Sequence, residues 1–267
     1  MRTAEQVRER DKKMTYEEAK AFLADCNQYK GEISLEPLKK MLAILGNPQD
    51  QLKFVHVAGT NGKGSTLAYV STVLKEAGYR VGRYISPTIF SYRERIQVNE
   101  TYISREGLVR LTEQIQKAGE QMLAAGDGHP TMFEAETALA FLWFVEQKCD
   151  IVVLEVGMGG LTDATNVIKN TLVAALTPVS MDHIGVLGNT LGEIAAQKAG
   201  IIKKGCKVVS AAQKPESRIV IEQKAKECGC PMSFVDIAQI RDRNRGLLKQ
   251  SFSYKERTQI EISLAGE

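Results

Sequence analysis

Residues 55–66 read VHVAGTNGKGST, and this stretch decides the fold. A short apolar run, FVHVA, leads into Gly59, Gly62 and Gly64, with Lys63 among them. The segment that follows, GSTLAYVSTVLKEAG, has helical spacing and stops at Gly78. Strand, glycine turn and helix start in that order make an anion cradle. Backbone N–H groups can point into the turn, and the positive end of the helix faces it. The common phosphate loop is G-x-x-x-x-G-K-[ST]. Counted back from Gly62-Lys63, its first glycine would fall at Val57, and Gly64 stands where Ser or Thr belongs. The stretch is either a phosphate cradle of another type or a glycine-rich turn that holds a lysine. As a cradle it offers a nucleotide Gly59, Thr60, Asn61, Gly62, Lys63, Gly64, Ser65 and Thr66. Lys63 can reach the β and γ phosphates, and Ser65 or Thr66 can bring a hydroxyl to a phosphate or its metal.

Outward from this loop, short apolar runs alternate with helical segments. RVGRYIS, DIVVLEVG, TLVAALTPV and KVVSAAQ read as further strands. SREGLVRLTEQIQKAGEQML and TMFEAETALAFLWFVEQK read as helices, as do TYEEAKAFLADCNQY and LEPLKKMLAILGNP nearer the start. TLGEIAAQKAGIIKKG reads as a helix with a capping box at Thr190 and Glu193 and a stop at Gly205. This alternation predicts an α/β fold of P-loop type, a mostly parallel sheet with helices on both faces. The tail, SFSYKERTQIEISLAGE, predicts a small β-hairpin. No closing helix follows it, as if residues 1–267 were one domain cut shortly before a linker.

The 267 residues carry a net charge of +3, with no basic block interleaved with aromatics, so nothing points to nucleic acid. No apolar run approaches the roughly 20 residues of a membrane span, and the charged N-terminus is not a signal peptide. The five cysteines are scattered and odd in number, as expected of reduced thiols in the cytoplasm. Cys228 and Cys230 form the only close pair, with no second pair or nearby histidine to complete a zinc site.

Three polar clusters share the position of the glycine loop, just after a strand. Ser86 follows RVGRYI, Glu155 ends DIVVLE ahead of Gly157, Gly159 and Gly160, and Asp182-His183 follow TLVAALTPV. In an open parallel sheet, ligands bind outside the carboxyl ends of the strands. Ser86, Glu155 and His183 are therefore expected beside the phosphate loop. A hydroxyl, a carboxylate and an imidazole there suit Mg²⁺, completed by waters and phosphate oxygens, and the imidazole would also suit Mn²⁺. Spacing alone places Lys198, in EIAAQKAGII, on the solvent face of its helix.

With these motifs assembled, the chain resembles the folylpolyglutamate synthase/dihydrofolate synthase family, relatives of the Mur ligases. VHVAGTNGKGST matches that family's phosphate loop, spacer Gly64 included, and VLEVGMGGLTDATNVI matches its second signature. ISPTIFSYRERIQVN looks like its mobile loop and DHIGVLGNTLGEIAAQKAGIIK like its later metal-site segment. The resemblance implies an ATP-dependent ligase that joins L-glutamate to a folate or dihydropteroate carboxylate through an acyl phosphate. It implies two Mg²⁺ ions on Ser86, Glu155 and His183, and catalytic roles for Lys63, His183 and a carbamylated Lys198. The pterin-bearing substrate would touch Phe133, Glu134, Thr162, Asp163 and Ala164. A monomer is expected. The family's second, Rossmann-like domain, of about 150 residues, is absent from this chain, so the chain alone is expected to be inactive. Two departures stand out: Thr88 where many relatives have His, and Leu161-Thr162 where they often have Arg-Leu. A P-loop NTPase or kinase, and a nucleotide-binding module without ligase activity, remain alternatives to the ligase.

Overall fold

The computed structural model describes residues 13–29, 34–246 and 249–263. Two short helices, α1 (Tyr16–Asp25) and α2 (Glu36–Ile44), precede the sheet. The chain then runs β1 (Phe54–Ala58), α3 (Lys63–Glu76), β2 (Val81–Tyr84), β3 (Ile96–Val98), β4 (Thr101–Tyr102), α4 (Arg105–Ala125) and α5 (Met132–Glu146). It continues through β5 (Ile151–Glu155), β6 (Thr171–Leu176), α6 (Leu191–Ala199), β7 (Lys207–Ser210), α7 (Pro215–Glu227) and β8 (Met232–Phe234). The strands lie in the order β4-β3-β2-β5-β1-β6-β7-β8. All neighbours from β2 to β8 are parallel, and β3 and β4 extend the β2 edge antiparallel.

The chain reverses direction across the sheet. From β1 it skips a place to β2, returns to fill that place with β5, and passes over β1 to β6. Such a reversal opens a crevice at the carboxyl ends of the central strands. The two faces are covered unequally. Leu67, Val70 and Leu74 of α3 pack on Val55, Val57, Val81 and Val153 of one face. Phe54, Val152 and Leu154 point the other way, into a core built with α1, α2, α4 and α5. On that same side, α6 and α7 pack through Ile194, Ala195, Ile221 and Ala225 onto Ala174, Leu176 and Val208.

Several elements differ from the sequence expectation. The helix after Thr190 stops at Ala199, not Gly205; Gly200 caps it and packs so closely on Leu161 that a Cβ there would lie 2.6 Å from the Leu161 Cα. Helix α7 and strand β8 have no counterpart in the sequence reading. Their buried apolar positions are few and are masked by lysines and glutamates. The C-terminal hairpin, β10 (Gln250–Tyr254) and β11 (Arg257–Ile262), gains a third strand, β9 (Ile240–Arg245).

Candidate active site

The loop after β1 is held by close packing. Gly59 has φ +152°, and a Cβ on it would sit 1.8 Å from Thr177 Oγ1, so only glycine fits between β1 and the end of β6. Thr60 N–H donates to Pro178 O at 2.9 Å. The Thr60 hydroxyl donates to Ser180 O (3.2 Å) and accepts from Ser180 N–H (3.1 Å), so it ties the loop to the segment after β6. Gly62, left-handed at φ 81°, begins α3 with no side chain capping the helix. Helices α1, α4 and α6, by contrast, start under the hydroxyls of Thr15, Ser104 and Thr190. Asn61, Gly62, Gly64 and Ser65 are exposed, and Thr66 is half-buried. The uncapped N-terminus of α3 therefore opens to solvent with its positive end free for an anion.

Two amines meet at this loop. Lys63 Nζ donates to Gly59 O (3.3 Å) and Thr60 O (3.2 Å). Lys198 Nζ donates to the same Gly59 O (2.9 Å) and to Asp182 Oδ2 (3.0 Å). Spacing had put Lys198 on the surface, but it is 1% exposed. Its helix packs by the face that carries Ile194 and Ala195, and Lys198 lies on that face. Burial lowers its pKa; Asp182 opposes the shift, and Lys63 adds to it. Two amines thus share one carbonyl where phosphates would lie, with Asp182 paired to Lys198 and the Glu155 carboxyl acting on Lys63.

Glu155 ends β5, buried beneath the first turn of α3. A Cβ on Gly64 would be 3.8 Å from both of its oxygens. Ser86 N–H donates to Glu155 Oε2 at 3.3 Å, so the end of β2 meets the end of β5 here. Burial raises the carboxyl's pKa, and the Ser86 N–H and Lys63 pull it back only in part. A buried carboxylate with no ion pair among the described residues fits a hard cation. His183, left-handed at φ 45°, is half-exposed and turns Nε2 to Asp182 Oδ1 at 3.4 Å. The structure pairs it with Asp182 rather than with Glu155. Among the described residues no three His, Cys, Asp or Glu side chains converge as a metal cage, so an ion here would need phosphate and water oxygens to complete its shell.

Because the folded pKa of Glu155 lies above its unfolded value, stability from this group is greatest below the unfolded pKa and falls as pH rises through the folded one. Glu155→Gln is therefore expected to stabilise the nucleotide-free protein at pH 8 by about 1 kcal/mol, while a nucleotide that brought a cation to this site would bind more weakly. Urea unfolding and nucleotide titration of the same variant check both halves.

The predicted substrate-side residues divide. Phe133 lies against Gly157, where a Cβ would come within 2.7 Å of its ring, and Thr162 is exposed beside the same loop. Glu134 and Asp163 are hydrogen-bonded within the protein. Glu134 caps its own helix by accepting from Thr131 N–H and Oγ1, both at 2.8 Å. Ala164 is buried. Asp163, buried, accepts from Met158 N–H (2.8 Å), Thr165 N–H (3.0 Å) and Thr165 Oγ1 (2.5 Å), and so braces the glycine loop from inside.

Behind it, His56 Nε2 lies 2.9 Å from Thr165 Oγ1. The Thr165 hydrogen is spent on Asp163, so His56 carries its proton on Nε2, leaving Nδ1 buried without a partner. Burial pushes the His56 pKa down to about 3, with Lys203 adding to the shift. The unfolded chain then binds a proton that the folded one refuses, so stability falls as pH drops below about 6.5, by about 1.4 kcal/mol per unit. Urea midpoints at pH 7 and pH 5 should show this loss, and His56→Gln should remove it.

A further buried group escaped the sequence reading. Arg95 pairs with Glu136 at 3.0 Å, Tyr92 OH donates to Glu136 Oε1 at 2.7 Å, and the Arg95 guanidinium lies 5.7 Å from the Phe133 ring centre. Its signal in the sequence is Glu136, at the head of the apolar run TALAFLWF.

Residues 57–267 match the model of the Mur ligase middle domain. The chain belongs to the Mur ligase middle-domain family. Within that family it is 40% identical over 242 residues to the dihydrofolate synthase/folylpolyglutamate synthase of Bacillus subtilis, covering 90% of this chain and 56% of that protein. The apo form of L. casei FPGS superposes with a TM-score of 0.89 at 34% identity, over 94% of this chain and 62% of that one. A complex of FPGS with AMPPCP and folate gives the same TM-score, 0.89, at 34% identity, over 94% of this chain and 62% of that one. The chain thus spans little more than half the length of these Mur ligase relatives. The expected α/β sheet and the family resemblance both hold. No described helix is long and apolar enough to cross a membrane.

Proposed function

We propose that this chain is the ATP-binding domain of a ligase that joins L-glutamate to the carboxylate of a folate or dihydropteroate. The observation that carries the reading is the meeting of Lys63, Lys198, Glu155 and the uncapped start of α3 at the crevice beside β1. A free carboxylate does not acylate an amine in water, so it must first take the γ-phosphoryl group of ATP. The carboxylate oxygen attacks phosphorus, ADP leaves, and an acyl phosphate remains. The glutamate amine then attacks the acyl carbon and expels phosphate.

In this reading the residues act by position and charge. The N–H groups of Gly62 to Ser65 and the Lys63 ammonium hold the β and γ phosphates. The Thr60 hydroxyl keeps the cradle in register with the β6 side. Glu155 and Ser86 would hold a first Mg²⁺, and Glu155 with His183 a second. Bound there, Mg²⁺ would neutralise phosphate charge and stabilise the oxyanions of transfer. Lys198, with its pKa lowered, is set to add CO₂: the neutral amine forms the N–C bond, loses a proton and becomes a carbamate. Phe133 and Thr162 would line the acceptor side. On this proposal the 267-residue chain binds ATP but does not ligate by itself, acts as a monomer, and works in the cytoplasm.

The test is phosphate release by a full-length protein containing this domain. Release that requires both the pterin-bearing acid and L-glutamate supports the ligase. Release indifferent to both supports an NTPase. Incubation with ¹³C-bicarbonate should give a carbamate carbonyl resonance that Lys198→Arg lacks.

A further inference from the structure

We propose that Cys206 and Cys230 are a reversible disulfide site, formed by exchange with a low-molecular-weight disulfide. Their sulfurs are 3.7 Å apart across the parallel pair β7 and β8, just ahead of both strands. Backbone hydrogen bonds from Gly205 to Cys228 O (3.2 Å) and from Val208 to Pro231 O (2.9 Å) hold the two segments side by side. Little backbone movement is needed to bring the sulfurs to bonding distance. Cys228, two residues from Cys230, points its thiol to Ile202 O instead, at 3.7 Å.

Exposure sets the order of events. Cys230 is half-buried and reachable, whereas Cys206 is 2% exposed. The Cys230 thiolate attacks one sulfur of the oxidant and expels a thiolate, which takes up a proton. The Cys206 thiolate then attacks the Cys230 sulfur of the mixed disulfide and expels the second thiolate. Two protein thiols are oxidised and one disulfide of the oxidant is reduced to two thiols. Burial, together with the adjacent Cys230, pushes the Cys206 thiol up to about 11, so the second step is the slow one and the mixed disulfide accumulates first.

The site lies behind the active-site scaffold. Cys230 donates to Lys203 O (3.1 Å), Lys203 Nζ donates to Asn166 O (3.2 Å), and Asn166 Nδ2 holds both Leu161 O (2.9 Å) and Gly200 O (3.2 Å). A cross-link would pin the turn between α6 and β7 to the sheet edge.

The experiment exposes the reduced chain to oxidised glutathione and follows intact mass, free thiols and Tm. Expected are a transient glutathione adduct, then a chain lighter by two hydrogens, with peptide mapping joining Cys206 to Cys230. The cross-link should raise Tm by about 5 °C. Cys228→Ser should behave the same, and Cys206→Ser should stop at the adduct with no rise in Tm. A cross-link joining Cys228 to Cys230 overturns the proposal. So does a wild-type chain that keeps all five thiols or goes no further than the adduct.

Discussion

Gly59→Ala is expected to abolish nucleotide binding and to destabilise the protein by about 3 kcal/mol or more. Two penalties coincide at this position. The backbone sits at φ +152°, where a Cβ is strained, and that Cβ would overlap Thr177 Oγ1 at 1.8 Å. Thr177 cannot retreat freely, because its N–H donates to Ala58 O at 2.8 Å and so pairs β1 with β6. The strand ends must part, and the cradle opens with them. Gly64→Ala is the control. Gly64 lies in the first turn of α3, and its Cβ would meet only the Glu155 oxygens, at 3.8 Å. That variant should fold as well as the parent or better, by about 0.5–1 kcal/mol. Urea unfolding of both variants separates the loop's packing requirement from simple helix propensity.

The second large effect concerns the Lys198–Asp182 pair. Asp182→Asn should cost about 3 kcal/mol, because it strands a buried ammonium on a single carbonyl. Lys198→Met should cost much less. It removes the buried charge itself, and Asp182, whose side chain is 21% exposed, can be hydrated. Measured on protein freed of CO₂, where Lys198 is the unmodified amine, Lys198→Met should nonetheless weaken ATP binding at least tenfold, the size expected for losing one charged hydrogen-bond donor. In the double variant the stability cost of Asp182→Asn should largely vanish, which a double-mutant cycle reads directly. Equal costs for the two single variants would mean that Lys198 is not buried as a charge.

Much of this site was legible in the sequence because strand ends are. Glycines, Ser86, Glu155 and Asp182-His183 each follow an apolar run, and parallel topology brings such positions to one edge. Lys198 was misread because helical spacing reports which face is apolar, not whether a lysine on that face has found a carboxylate and a carbonyl. Glu134 and Asp163 lie in the predicted substrate segments but serve as a helix cap and a loop brace. Their neighbours Thr131 and Thr165 carry that signal only once the backbone is known. Helix α7 escaped because its surface is charged on most sides and its buried positions include Ser217 and Ala225, which carry little hydropathy. The buried Arg95–Glu136 pair is non-local, joining the segment after β2 to α5.

The most direct test is a crystal of this chain grown with a non-hydrolysable ATP analogue and Mn²⁺, whose anomalous signal marks the metal. The triphosphate is expected on the amides of residues 62–65. Lys63 should have turned from Gly59 O and Thr60 O to the phosphates, and the metal should sit beside Glu155 and Ser86. A triphosphate on another surface, with Lys63 still folded onto those carbonyls and no metal at Glu155, would contradict it.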